Sequence, residues 1–245
     1  MAIPAIDSYP MPTEDELPEN IARWTIDPDR AVLLVHDMQN YFLSPFPHGE
    51  APTTDLVENV ATLRARFATL GAPVVYTAQP GGMTDEQRGL LKDFWGAGMS
   101  AAPEHRMIID RLAPFGPDVV FTKWRPSAFC RTGLLDLLRE RGRDQLVICG
   151  VYAHVGILMT AHEGFSQDIQ TFVVADAVAD FSREYHRQAL DYAASRCSVT
   201  LSTRSALAML NGAVADRGAP DEVALNTEVP NAAVLDEAVL EGARR

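Results

Sequence analysis

Apolar residues in this chain fall in short blocks, and the blocks alternate between two spacings. The first block, Ala31-Val32-Leu33-Leu34-Val35, is unbroken and largely aliphatic. That is the pattern of a strand buried on both faces. It stops abruptly at His36-Asp37, and Met38-Gln39-Asn40-Tyr41-Phe42-Leu43 follows. The next block has Leu56, Val60, Leu63, Phe67 and Leu70 at spacings of four and three, which predicts an amphipathic helix closed by Gly71. Pro73-Val74-Val75-Tyr76-Thr77 predicts a second strand. A long polar segment then runs from 78 to about 103 and carries Gln79-Pro80-Gly81-Gly82 and Gly96-Ala97-Gly98. A loop of that length in a compact domain is usually functional, and these glycines lack dinucleotide-binding spacing.

The alternation continues to about residue 210. Strands are expected at 118–122, 145–150, 169–175 and 198–201. Helices are expected around Leu134–Leu138, over 153–167, over 182–196 and over 203–210. Strands that alternate with helices in this way predict a parallel sheet wrapped by helices on both faces. Before the first strand, residues 1–28 carry five prolines and little periodicity. They predict an irregular arm with a short helix near 18–24, anchored on something through Tyr9, Ile21 and Trp24. Residues 211–245 have weak periodicity and predict a tail.

Composition narrows the class. At 245 residues the chain is one domain, 1–210, with its arm and tail. The apolar runs are too short to span a bilayer, and the N-terminus lacks the features of a signal peptide, so a cytoplasmic protein is expected. The net charge of −12 argues against nucleic acid and anionic membranes as partners. It also means that a site for an anion must gather its few cations locally. Cys130, Cys149 and Cys197 are odd in number and lack paired spacing, which argues against disulfides and a zinc site. Cys149 and Cys197 have the surroundings of buried, inert thiols.

In a parallel sheet the carboxyl ends of neighbouring strands line one crevice. Asp37 ends the first strand, Gln79 the second, Lys123 the third and Gly150-Val151-Tyr152 the fourth. A carboxylate, an amide and an ammonium are thereby brought together. Each alone has an ordinary alternative: a helix cap for Asp37, a turn for Gln79, a solvated loop for Lys123 and a surface position for Arg88. Burial favours the protonated form of Asp37, and a neighbouring ammonium favours the ionised form. The sequence leaves open which prevails. An anionic substrate would tip the balance toward protonation.

Several long motifs carry a resemblance. They are residues 31–43, then Tyr76-Thr77-Ala78-Gln79-Pro80-Gly81-Gly82-Met83-Thr84 and Glu86-Gln87-Arg88-Gly89-Leu90-Leu91-Lys92-Asp93-Phe94-Trp95, then Thr122-Lys123-Trp124-Arg125 and Ser127-Ala128-Phe129, and finally Gly150-Val151-Tyr152-Ala153-His154-Val155-Gly156. Over about residues 15–205 the chain resembles the isochorismatase-like hydrolase superfamily. It is most similar to the stand-alone isochorismatases of the phenazine-pathway type. The resemblance implies a Rossmann-like, three-layer α/β/α fold with a six-stranded, mainly parallel sheet. It also implies a homodimer and a non-proline cis peptide near Val151-Tyr152, while the tail after Asn211, short and without an Asp-Ser attachment motif, leads us to expect no carrier domain.

The amidases of the superfamily place a nucleophilic Cys where this chain has Gly156, and they have spaced metal-binding histidines where it has His48 alone. These departures remove acyl-enzyme chemistry and imply no metal and no cofactor. The resemblance therefore implies hydrolysis of a vinyl ether in secondary-metabolite biosynthesis, releasing pyruvate from isochorismate or 2-amino-2-deoxyisochorismate. Asp37 is the candidate acid, with Lys123 beside it. Gln79, Arg88 and Lys123 are expected to hold the dianionic substrate, and Tyr152 and Gly156 to complete a polar wall. Phe42, Trp95 and Phe129 are expected to shield Asp37 and keep it protonated. A cysteine-less amidase and a non-catalytic binding protein are the alternatives.

Overall fold

In a computed structural model, which describes residues 3–215, the sheet has six strands, all parallel. The strands are β1 (Ala31–His36), β2 (Val74–Ala78), β3 (Val119–Thr122), β4 (Gln145–Val151), β5 (Gln170–Ala179) and β6 (Ser198–Leu201). Their order across the sheet is β3-β2-β1-β4-β5-β6. The chain order reverses between β1 and β4, and this switch point is where open α/β sheets bind ligands. The helices are α1 (Asn40–Leu43), α2 (Thr53–Thr69), α3 (Asp85–Arg88), α4 (Leu91–Trp95), α5 (Pro103–Arg106), α6 (Leu134–Glu140), α7 (Leu158–Ser166), α8 (Arg183–Arg196) and α9 (Thr203–Ala215). No described helix is long and apolar enough to cross a membrane.

The two core layers follow from strand alternation. Leu33 and Val35 of β1 join the layer under α2, with Leu56, Val60, Leu63 and Phe67. Val32 and Leu34 join the opposite layer, with Leu134, Leu138, Ala161 and Leu190. Every residue of β1 is buried, as its unbroken apolar run predicts.

Four expectations need correction. The arm has no helix at 18–24; its one helical turn is a 3-10 turn, Glu14–Glu16, capped by Thr13. Beyond it, the Asn20 side chain bonds the backbone N–H and carbonyl of Thr200, which ties an extended segment to β6. The arm packs on its own domain through Tyr9 and Trp24, but Ile21 is exposed. Strand β5 runs to Ala179 rather than 175. Asp176 interrupts its apolar pattern because its carboxylate caps α9, accepting from the N–H and hydroxyl of Thr203. The single helix expected over 153–167 begins as a π-turn, Ala153–Ile157, before α7. Helix α9 passes 210 and continues to Ala215, and the expected tail lies outside the described residues from 216 onward.

The long polar segment is ordered. It holds α3, α4 and α5, and it returns to the end of β1 through Gln39. The fully buried Gln39 amide donates to the carbonyls of Gln79 and Arg106, and its oxygen accepts from the Gln79 N–H at 2.7 Å. The segment is thus a roof, pinned at both ends by one side chain.

Candidate active site

Strand β1 delivers Asp37 into a left-handed turn, φ 51°, which Asp tolerates better than most residues. The Asp37 N–H donates to the carbonyl and hydroxyl oxygens of Thr77 on β2. The Thr77 hydroxyl in turn donates to Asp37 Oδ1 at 2.7 Å. Lys123, at the end of β3, places its Nζ 2.9 Å from Asp37 Oδ2. Both side chains are almost fully buried. Burial pushes the Asp37 carboxyl up, but the Lys123 ammonium, the His36 ring and the Thr77 hydroxyl together outweigh it, and its pKa lies below the ordinary value. Asp37 is therefore a carboxylate at neutral pH. This corrects the expectation that apolar shielding alone keeps it protonated.

Lys123 also differs from expectation. Its ammonium donates to the carbonyls of Arg125 at 3.1 Å and Pro126 at 3.2 Å, besides contacting Asp37. An ammonium has three donors, and here all three are engaged. Lys123 thus has no spare donor for a substrate carboxylate.

Arg88 is supplied by the roof. It is nearly buried, its Nε donates to the Gly96 carbonyl at 2.9 Å, and no described carboxylate pairs with it. Burial pulls its pKa below the ordinary value, opposed by Tyr41 and reinforced by Arg125. Gly98 packs against the guanidinium so closely that a Cβ there would lie 2.7 Å from Cζ. Gln79 uses its backbone to hold Gln39, and its carboxamide makes no hydrogen bond within the described residues.

After β4, the peptide between Val151 and Tyr152 is cis, as the resemblance implies. The Tyr152 hydroxyl donates to the Phe42 carbonyl, so Tyr152 offers the cavity a ring rather than the polar group expected of it. Tyr152 packs edge to face on Phe42 and tilted on Phe181, and Trp95 closes on Phe181. Within the π-turn, Gly156 faces the His36 ring; a Cβ at Gly156 would lie 2.2 Å from His36 Cε1. His36 is fully buried, its Nδ1 lies 2.8 Å from the Val151 carbonyl, and burial pushes its pKa down to about 4. It is a neutral ring occupying the space that a side chain at position 156 would need.

Asp37, Gln79, Arg88, Lys123, Tyr152, Gly156, Phe42 and Trp95 all line one cavity. Phe129 does not; it packs in the core against Gly164. The cavity also draws on His36, Tyr41, Arg125 and Phe181, and on Ile3 from the arm, none of which the strand-end pattern singles out. His36 directly precedes Asp37, Arg125 follows Lys123 by two residues, and both lie within the motifs that carry the resemblance. Among the described residues no group of three or more His, Cys, Asp or Glu is placed to hold a metal ion.

The arrangement is thus a paired carboxylate on a buried floor, a guanidinium without an acidic partner in the roof, and no side chain at position 156. A family model described as the isochorismatase domain matches residues 31–205. The chain is 56% identical over 205 residues to the phenazine biosynthesis protein PhzD1 of Pseudomonas aeruginosa, covering 84% of this chain and 98% of that protein. It is 54% identical over 216 residues to an isochorismatase of Bacillus subtilis, covering 88% of this chain and 69% of that one. Its fold matches a cysteine hydrolase from Pseudomonas syringae with a TM-score of 0.71 at 22% identity, covering 80% of this chain and 98% of the other. The match over most of the domain, together with the site it encloses, shows that the chain belongs to the isochorismatase family.

Proposed function

We propose that this chain is an isochorismatase-type ether hydrolase that releases pyruvate from isochorismate, 2-amino-2-deoxyisochorismate or both. The observation that carries this reading is the His36–Gly156 contact, which leaves the position of an acyl-enzyme nucleophile filled by a neutral ring. Among the described residues, the one acid in contact with the cavity's Lys123 is Asp37. A vinyl ether needs an acid and water but no nucleophile on the protein.

The dianion brings negative charge beside Asp37 and raises its pKa, so that the carboxyl takes up a proton from solvent as substrate binds. Asp37 gives that proton to the terminal methylene carbon of the enolpyruvyl group. The alkene becomes a methyl group and the adjoining carbon an oxocarbenium ion. Water adds to that carbon and loses a proton. The resulting hemiketal then breaks its bond to the ring oxygen, yielding pyruvate and the ring alcohol. The product is 2,3-dihydro-2,3-dihydroxybenzoate or trans-2,3-dihydro-3-hydroxyanthranilate. Lys123 holds Asp37 in place, and the rings of Phe42, Trp95, Tyr152 and Phe181 keep bulk water from the cation.

Coupled pyruvate release with both substrates tests the activity, and their kcat/KM ratio settles the preference. In D2O the pyruvate methyl group should carry one deuterium at early times, read by NMR; a methyl group with none would overturn carbon protonation. The relatives named for phenazine biosynthesis favour the amino substrate and a place in secondary metabolism. The same reading makes this a cytoplasmic enzyme that acts as a homodimer, a state that sedimentation equilibrium would report.

A further inference from the structure

With Lys123 saturated by Asp37 and two carbonyls, the second carboxylate of a dianion has to find another cation. Arg125 lines the same cavity and has no ion pair among the described residues. Its Nη1 donates to the carbonyls of Gln87 at 2.8 Å and Trp124 at 2.6 Å, which uses both protons on that nitrogen and fixes the guanidinium plane. Its Nε and Nη2 make no hydrogen bond within the described residues. Nη2 lies beside Gly89, 3.1 Å from where a Cβ would stand, and Gly89 adjoins Arg88. Two guanidinium groups without acidic partners therefore share one cavity in a protein whose net charge is −12. Like charges held together favour an anion between them, and a guanidinium edge with two parallel donors suits a carboxylate.

We infer that Arg125 is a second anion-binding residue, taking one carboxylate of a dianionic substrate while Arg88 takes the other. This rests on the proposed function for the identity of the dianion. Through the Gln87 carbonyl, Arg125 also fastens α3, the helix that carries Arg88, to the end of β3. One guanidinium thus both binds the anion and holds the roof that supplies its partner.

The test is R125Q with R125K beside it. For R125Q, KM for isochorismate should rise about thirtyfold and kcat should fall at most about fivefold, the split expected when binding rather than chemistry is lost. R125K keeps the charge but not the fork and should recover part of the loss in KM. Calorimetry of the wild type and R125Q with isophthalate, a dianion that cannot be hydrolysed, and with benzoate provides a readout independent of turnover. Isophthalate binding should weaken about tenfold in R125Q and benzoate binding less than threefold, because a monoanion is satisfied by Arg88 alone. An unchanged KM and isophthalate affinity, or equal losses for both anions, would overturn the inference. If R125Q does not fold, R125K decides: a wild-type isophthalate affinity together with a wild-type KM overturns it. If the wild type releases no pyruvate from either substrate, the proposed function fails, and the two calorimetric arms still decide on Arg125.

Discussion

The floor and the roof of the cavity treat their polar groups in opposite ways. The floor, built from the ends of β1, β2, β3 and β4, uses its hydrogen bonds internally. Asp37 is held by Thr77 and Lys123, and Lys123 also by two carbonyls. The roof, residues 79–109, is attached through Gln39 and leaves Arg88 with carbonyl partners only. It also exposes Leu90 and Phe94, at 80% and 77%. A network complete in itself positions chemistry and offers no donors to a ligand. Cations without acidic partners bind ligands and contribute little to the chemical step. Changes in the closed network of Asp37, Thr77 and Lys123 should therefore act on kcat and stability, and changes at the cations without acidic partners, Arg88 in the roof and Arg125 beside it, on KM.

The largest effect is expected in the floor. Asp37→Asn keeps the shape and removes the proton donor, so kcat should fall by at least about a thousandfold if carbon protonation is rate-determining. Activity within about tenfold of wild type would move the acid elsewhere and end the distinction between floor and roof. Stability should fall as well, since Lys123 would be left buried without its counter-charge.

The next effect is on stability against pH. Two buried histidines, His36 in the floor and His186 on α8, have pKa values pushed from 6.5 to about 4, with burial the leading cause for both. His186 lies against Tyr9 and the Ala175 carbonyl, and Asp180 opposes the shift. A lowered histidine pKa means that the unfolded chain takes up the proton first as pH falls. Stability is complete above 6.5, declines between 6.5 and 4, and levels off below 4. At pH 5 each histidine should cost about 2 kcal/mol relative to pH 7.5. Denaturant unfolding at the two pH values measures the sum, and equal midpoints would show that neither ring is held neutral. Asp37 acts in the same direction at lower pH: its depressed pKa stabilises the fold above the unfolded carboxylate pKa, and that contribution is lost only as pH falls through and below that value, so it adds little to the change at pH 5.

Much of this division was legible from the sequence, for a physical reason. A fully buried parallel strand shows itself as an unbroken apolar run, and the first polar residue after it must sit at the sheet's carboxyl edge. Asp37, Lys123 and Tyr152 could be placed on that basis, and all three reach one cavity. Gln39, Thr77 and Arg125 show no role in the sequence, because their partners lie 38 to 67 residues away, and no local spacing encodes such pairs. The saturation of Lys123 is invisible for a different reason: two of its acceptors are backbone carbonyls two and three residues on, which every sequence supplies. The π-turn was hidden because apolar periodicity does not distinguish a wide first turn from a regular one.

Gly156→Cys sharpens the comparison on the floor. The new Cβ would meet a ring that is buried, bonded to the Val151 carbonyl and unable to retreat into solvent. Overpacking of this kind costs about 1–3 kcal/mol, which thermal unfolding should register. His36→Val in the same chain removes the obstructing ring and should recover part of the loss. If the two changes were simply additive, His36 and Gly156 would not be a matched pair.

The smallest effect belongs to the roof. Gly98 has φ 77°, so Gly98→Ala strains the backbone, and its Cβ would press on the Arg88 guanidinium. Here the obstacle is the far end of a flexible side chain that can move aside, unlike the confined ring at His36. The strain should cost about 1 kcal/mol, and the displaced guanidinium should raise KM several-fold with a smaller change in kcat. The discriminating quantity is the ratio of the two changes, measured beside Asp37→Asn under the same conditions. A Gly98→Ala enzyme that lost kcat while keeping its KM would place Arg88 among the groups that act on the reacting carbon. The roof would then share the chemical step with the floor, although none of its described cations contacts Asp37.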